Sequence, residues 1–467
     1  MTDNFTMKKS LFLLLPFFYS GTACTDDVFT ADFADDLSHV RASLCFDGPP
    51  PGRLYRNKNA AAFSSDIYHL GKPLGVSKSG SSIRLPNLPD DACINWQTDL
   101  DAALENRSRR IIFKRGQDLL MSADLWFWKG SRHRALQVEV LLPDGVSFAT
   151  PWPVVETGSG DRYYRPDKTQ AGWSSTIAIG YFEIETISVA GSQINMAVVG
   201  QVTDQQNRKF RNWIGETASA VGTVVDGFPQ PQAQVLIVPI GKRREAVVSG
   251  HIQRGGGLSA EFFVDETRPQ DEFTSDWTAM HEFSHMLLPY VSRRDRWLSE
   301  GLASYYQNVL LARSGRLSET QAWQKLYEGF KRGEKGTRGG SLAEATKSGR
   351  RSTMRVYWSG AALMLLADMQ LRSASDGRQS LDSALKALSS CCMENGKTWR
   401  AKELFSRLDG LTGTRVFSDL YARYVDQGGF PDMRPAWEEL GINIRNGQVN
   451  TSQNAPMADV RNAIMKG

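Results

Sequence analysis

Between residues 135 and 199 apolar and polar positions alternate with a period of two. Leu136-Gln137-Val138-Glu139-Val140-Leu141, followed by the turn signal Pro143-Asp144-Gly145, predicts a hairpin over Ala135 to Pro153. Thr176 to Ile187 repeats the alternation, and Val189 and Met196 to Val199 continue it. The period changes at Asp204 to Val225, where Phe210, Trp213, Ile214, Ala218, Val221 and Val224 recur at helical spacing. Short apolar runs at Val235 to Pro239, Ala246 to Val248 and Leu258 to Val264 then predict a small sheet. From Asp276 onward helical periodicity dominates, over Trp277 to Leu288, Leu298 to Ala312, Glu319 to Phe330, Arg355 to Leu371, Leu381 to Leu388 and Phe417 to Val425. The Gly- and Lys/Arg-rich stretch from Lys331 to Arg351 reads as a mobile connection between helices.

These patterns divide the chain into an N-terminal β-rich domain over 24–200, a mixed domain over 201–330 and a C-terminal helical domain over 331–467. A length of 467 residues agrees with several domains. The first 23 residues stand apart. Lys8 and Lys9 precede an apolar run from Leu11 to Tyr19 and the small residues Ser20 to Ala23, the order of a secretory signal peptide. Gly21-Thr22-Ala23-Cys24 also resembles a lipoprotein cleavage site, which would make Cys24 a lipid anchor. The expected location is therefore exported, periplasmic or secreted, or a membrane-anchored lipoprotein. No later run approaches the roughly 20 apolar residues that span a bilayer, so no transmembrane segment is expected in the mature chain.

Charge excludes one class of partner. The 55 basic and 51 acidic residues are spread evenly with no long basic block, so nucleic acid is not expected. Five cysteines are too few for a disulfide scaffold, although export would let Cys45 oxidise with Cys93; the adjacent Cys391 and Cys392 are difficult to pair with each other.

The candidate chemistry lies at His281-Glu282-Phe283-Ser284-His285. On a helix, positions i and i+4 share a face, so His281 and His285 can hold one metal ion, with Glu282 beside it as general base. With six His in the whole chain, chance produces such a motif in under about one chain in a hundred. A catalytic zinc takes three protein ligands and leaves a position open for water. Glu300, at the start of the next helix in Trp297-Leu298-Ser299-Glu300-Gly301, supplies the third; a helix-start glutamate is also favoured simply by the macrodipole. The other histidines, His39, His69, His133 and His251, stand far off in sequence, which argues against a closed structural site.

His281-Glu282-x-x-His285 followed by Trp297-Leu298-x-Glu300-Gly301-x-Ala303 resembles the gluzincin metallopeptidases. Ser299 to Tyr306, Leu310 to Gly315, Tyr357-Trp358-Ser359-Gly360-Ala361 and Tyr421 to Val425 resemble the glycyl aminopeptidase family in particular. The resemblance implies one zinc ion held by His281, His285 and Glu300, and Tyr357 as the donor that stabilises the oxyanion. It implies a multidomain α+β fold with an N-terminal β-sandwich-like domain, a thermolysin-like catalytic domain and a C-terminal helical domain. Three positions depart from the family pattern. The spacing from His285 to Glu300 is short, Ser359 replaces a lysine, and the substrate strand, matched to Gly256-Gly257-Leu258, lacks the glutamate that anchors a free amine. Glu261, two residues beyond Ser259, is a candidate replacement.

The function expected is an exported zinc metallopeptidase acting on peptides or proteins, in particular an aminopeptidase. The alternatives are an endopeptidase or other amide hydrolase, and a non-catalytic exported peptide-binding protein that retains the metal.

Overall fold

A computed structural model describes residues 26–76, 80–106, 111–130, 135–156, 162–167, 173–394 and 396–467. The expected leader over 1–23, the candidate anchor Cys24 and His133 lie outside them. The chain is multidomain α+β, sheet-rich at its N-terminal end and helical toward its C-terminal end.

The N-terminal part is built on strands β1 (Asp27–Phe33), β2 (His39–Cys45), β3 (Cys93–Asp99) and β4 (Leu136–Leu141). β2 pairs antiparallel with both β1 and β3, while β4 runs parallel to β1. Cys45 and Cys93 face each other in the β2–β3 register and are joined by a disulfide. Alternate residues turn inward to a core that includes Phe29, Trp96, Trp126 and Trp128, with Trp96 stacked on Trp128 at 4.3 Å.

The hairpin expected over Ala135 to Pro153 is not formed. Residues 143–146 do turn, with Val146 N bonded to Pro143 O, but the strands on either side join different sheets. β4 lies beside β1, whereas Ser147–Ala149 pairs with Thr176–Gly180 in a four-stranded sheet. Alternation specifies which face is buried and leaves the partner strand open.

The central sheet runs in the order Ile184–Val189 (β5), Ser192–Val198 (β6), Gln232–Pro239 (β7), Ser259–Val264 (β9), Val247–Gln253 (β8). β6, β7 and β9 are parallel, and β8 closes the edge antiparallel to β9. β5 and β6 thus belong to this sheet although they precede residue 200, where the pattern change suggested a boundary. Helix α1 (Asp204–Gly222) covers one face through Phe210, Trp213 and Ile214, and is the crossover between β6 and β7. On the other face Ala197, Val199, Leu236 and Val238 pack on Leu120, Ala149, Ala178 and Phe182 of the N-terminal part. Burial on both faces explains the uninterrupted apolar run at 235–238. The buried Asp118 carboxylate binds this junction, accepting from Tyr181 N at 2.8 Å and Gly200 N at 2.6 Å.

The remaining helices include α2 (Trp277–Ser284), α3 (Arg296–Arg313), α4 (Glu319–Lys335) and α5 (Thr353–Ala374). They share one continuous apolar core with the central sheet, running from Ile187 to Met465, so 331–467 does not enclose a core of its own. A buried polar network ties α3 to α5: Asp368, fully buried, accepts from Tyr305 Oη at 2.8 Å, Arg372 Nε at 2.9 Å and Leu381 N at 2.9 Å. The stretch read as a mobile connection is structured instead. α4 continues to Lys335, Leu342–Lys347 forms a short capped helix, and Arg355 donates to the carbonyls of Gly339 and Gly340. Cys391 and Cys392, expected to be difficult to pair, form a disulfide. Among the described residues no helix is long and apolar enough to cross a membrane.

Candidate active site

α2 begins where Asp276 accepts a hydrogen bond from Thr278 N at 2.7 Å, and it buries Ala279, Met280 and Phe283 against the sheet. The opposite face carries His281 and, one turn on, His285, which opens a short 3-10 turn; their ring centroids are 4.9 Å apart. Glu282 is the only member of the five-residue motif not fully buried. α3 delivers Glu300, whose Oε2 lies 3.4 Å from His281 Nε2 and 3.6 Å from His285 Nε2. α5 delivers Tyr357, whose ring lies parallel to His281 at 5.9 Å and whose phenol hydrogen-bonds to Glu300. The five residues expected to carry chemistry therefore meet at one place.

The outer ring nitrogens have partners that sequence reading missed. His281 Nδ1 donates to Gln307 Oε1 at 2.8 Å, which leaves Nε2 as the lone-pair nitrogen facing Glu300. His285 Nδ1 lies 2.8 Å from Ser299 Oγ, and the buried guanidinium of Arg254 donates to the carbonyls of His285 and Leu288, both at 2.9 Å. Gln307 stands seven residues after Glu300, two turns along α3, and is a polar residue on a buried helical face; that was the available signal.

Glu300 Oε2 is buried and meets no aligned hydrogen-bond donor. A buried carboxylate oxygen without a donor is costly, and a cation held between it and the two Nε2 atoms removes that cost. Two imidazoles and a carboxylate, with a side open past Glu282, fit zinc. His281, Glu282 and His285 also place their ligand atoms within 4.8 Å of one another. Glu300 is the better third ligand because its Oε2 approaches both Nε2 atoms and has no hydrogen-bond partner, whereas the Glu282 carboxylate accepts from Ile252 N.

The electrostatics separate the two carboxylates. Burial pushes Glu282 up to about 7, with the nearby Glu300 charge adding to the shift. Burial also acts to raise Glu300, but the two imidazoles outweigh it and hold this carboxyl below its usual value. Burial, reinforced by His281, depresses His285 to about 3. For His281 burial again opposes charge, but the adjacent carboxylates prevail and raise it. Burial, with the neighbouring Glu300, raises the Tyr357 phenol, which stays protonated at neutral pH.

Gly256-Gly257-Leu258, expected as the substrate strand, does not border the motif. Cβ atoms on Gly256 and Gly257 would collide with Trp152 and the Pro151 carbonyl of the N-terminal part, and Leu258 is buried in the core. The strand beside the motif is β8: a Cβ on Gly250 would stand 2.8 Å from Glu282 Cγ and 2.9 Å from Thr278 Cγ2. A glycine inside a strand marks such a close approach, and Gly250 was legible on that ground. Glu261 pairs with His251, the neighbour of Gly250 in the ladder, so it occupies the face turned away from Glu282; its carboxylate accepts from Thr176 Oγ1 at 3.3 Å.

Comparison with known proteins bears on this site directly. Residues 264–364, which span the motif, Glu300 and Tyr357, match the family model of the M61 glycyl aminopeptidases. A search of curated proteins gives no match. Among solved structures, an aminopeptidase N family protein from Idiomarina loihiensis is similar at TM-score 0.68 and 14% identity, over 90% of this chain and 79% of that one. An M1 zinc metallopeptidase from Deinococcus radiodurans is similar at TM-score 0.54 and 12% identity, over 87% of this chain and 93% of that one. A mutant of the Deinococcus enzyme bound to a Tyr-Ser-Ala substrate is similar at TM-score 0.54 and 12% identity, over 87% and 94%. At these identities the structural likeness speaks for the fold, while the family match covers the residues that meet around Glu300, and on that match the chain is a zinc metallopeptidase that resembles the M61 glycyl aminopeptidases.

Proposed function

We propose that this chain hydrolyses peptide bonds at the site formed by His281, Glu282, His285, Glu300 and Tyr357. The observation that carries the reading is the buried, donorless Glu300 Oε2 facing two imidazole nitrogens, with a separate carboxylate at its side. One zinc ion held by His281, His285 and Glu300 would supply Lewis acidity, lowering the pKa of a water molecule and polarising the substrate carbonyl. Glu282 takes the proton released from water and returns it to the leaving amine, a task suited to a carboxyl raised to about 7. Tyr357, kept protonated, donates to the carbonyl oxygen as negative charge develops there. Gln307 fixes the tautomer of His281 throughout. An extended peptide lies along the edge of β8, where Gly250 lets Glu282 sit close against the strand.

The family resemblance favours an aminopeptidase. A second reading, an endopeptidase, is supported by the strand itself: Ser249 to Gln253 carries no acidic residue, and Glu261 is on the far face, so no carboxylate of β8 is available to capture a free amine. A non-catalytic metal site has no use for the partly buried Glu282. Export remains part of the proposal, supported by the leader pattern at Lys8 to Ala23 and by the Cys45–Cys93 disulfide, which suits an oxidising compartment.

The test is elemental analysis of the purified chain together with hydrolysis of free and N-blocked peptides by wild type and Glu282→Gln. We expect one zinc per chain in both proteins and cleavage by the wild type alone. Cleavage of blocked peptides selects the endopeptidase reading. A chain without zinc, or a variant as active as wild type, refutes the assignment.

A further inference from the structure

Past residue 184, the exposed large apolar side chains among the described residues are Val248, Trp277 and Met354. Each stands on an element that forms the site. Trp277 is the most unusual of them, a tryptophan with 48% of its surface in solvent at the first position of the metal-ligand helix. It precedes His281 by four residues and therefore shares the face that carries His281 and His285. Its ring meets the His281 ring edge to face at 5.6 Å. No helix-stability argument calls for an exposed indole there, and burial elsewhere in the core would release it from water.

The strand opposite is arranged to match. β8 and α2 run side by side in the same direction: Gly250 lies against both Thr278 and Glu282, and Ile252, two residues further along β8, donates its backbone N–H to the Glu282 carboxylate at the far end of that pair. The first turn of α2 thus flanks residues 245–250. Val248 is the extra residue of a β-bulge between Val247 and Ser249, and its side chain is 44% exposed. Bulges re-aim side chains and are common beside active sites.

We propose that Trp277, facing the strand that carries the exposed Val248, is a specificity subsite for a large apolar residue immediately C-terminal to the scissile bond. This rests on the peptidase reading above. A peptide added to the edge of β8 pairs more stably antiparallel than parallel. With its scissile carbonyl at Glu282, level with Gly250, its N-terminal half runs toward Gln253 and its C-terminal half toward Val248 and Trp277. The residue following the cleaved bond then lays its side chain against the indole. An aliphatic or aromatic side chain covers that surface, and glycine leaves it wet.

The experiment uses the zinc-loaded full chain and matched peptides with Leu, Phe or Gly after the scissile bond, with cleavage sites mapped by mass spectrometry. The readout is the ratio of kcat/KM for Phe or Leu over Gly. We expect a ratio of about 10 or more in the wild type, collapse toward 1 in Trp277→Ala and partial retention in Trp277→Phe. A wild-type ratio near 1, or a ratio unchanged in Trp277→Ala with zinc content intact, overturns the subsite while leaving the peptidase reading standing. Failure of the zinc-loaded wild type to cleave any peptide overturns both.

Discussion

Gly301 of α3 and Gly360 of α5 meet backbone against backbone. A Cβ on Gly301 would stand 2.4 Å from Gly360 Cα, and one on Gly360 would stand 2.1 Å from the Trp297 carbonyl oxygen. Glu300 adjoins the first glycine and Tyr357 stands one turn before the second, so this crossing sets the carboxylate and the phenol within hydrogen-bonding reach. The close approach explains why the sequence carries glycine inside two buried helices despite its cost of about 1 kcal/mol there.

Gly360→Ala is therefore expected to separate α3 from α5. Overpacking of this kind costs roughly 1–3 kcal/mol, and the obstacle here is backbone, which cannot swing aside. Urea denaturation should show that loss. Peptidase activity should fall further than stability alone explains, because Glu300 and Tyr357 part as the helices move.

Tyr357→Phe removes one hydroxyl and leaves the ring over His281. If the phenol acts on the developing oxyanion, kcat falls by roughly 10²–10³ with little change in KM. Zinc content should match wild type, since the tyrosine is not a ligand. A change confined to KM would assign Tyr357 to ground-state binding instead.

Asp276 gives a pH-dependent prediction. Burial is the largest influence on it and lifts its carboxyl from 3.8 to about 6; the hydrogen bonds from Thr278 oppose the shift and Glu245 adds to it. The folded chain then holds this proton more tightly than the unfolded chain does. Linkage makes its contribution most favourable below about pH 4 and progressively lost as pH rises toward 6. Asn caps a helix as well as Asp does but carries no charge. Asp276→Asn should thus match wild type in unfolding free energy near pH 4 and exceed it above pH 6, by on the order of 1–2 kcal/mol, as urea denaturation at the two pH values would show. Equal curves at both pH values would show that the carboxylate is well solvated.

Local periodicity made much of the site legible. His281 and His285 share a face because of helical geometry alone, and Glu300 lies on the next helix, so proximity in sequence predicted proximity in space. Tyr357, 72 residues beyond His285, was reached only through family resemblance, because no period or spacing links α5 to α2. The strand that borders the motif was hidden for a related reason. Gly256-Gly257 looks like a strand entry, yet these glycines serve the contact with Trp152 and Pro151, while a single glycine at 250 faces Glu282. Glycine records that something approaches closely and does not record what.

By itself the sequence determined the elements with strong periodicity: the helices after Asp276, the strands with buried faces, and the five-residue motif that brings His281, Glu282 and His285 together. It also determined the approximate order of sheet-rich and helical parts. Tertiary structure alone decided which strands pair, so that residues 136–141 and 147–149 entered different sheets, and it drew residues 184–198 into the central sheet. It likewise supplied Gln307 and Ser299 behind the imidazoles and brought Tyr357 against His281. The physical reason is range. A helix face or strand alternation is written in neighbouring residues, whereas pairing and site assembly depend on which distant surfaces bury each other best.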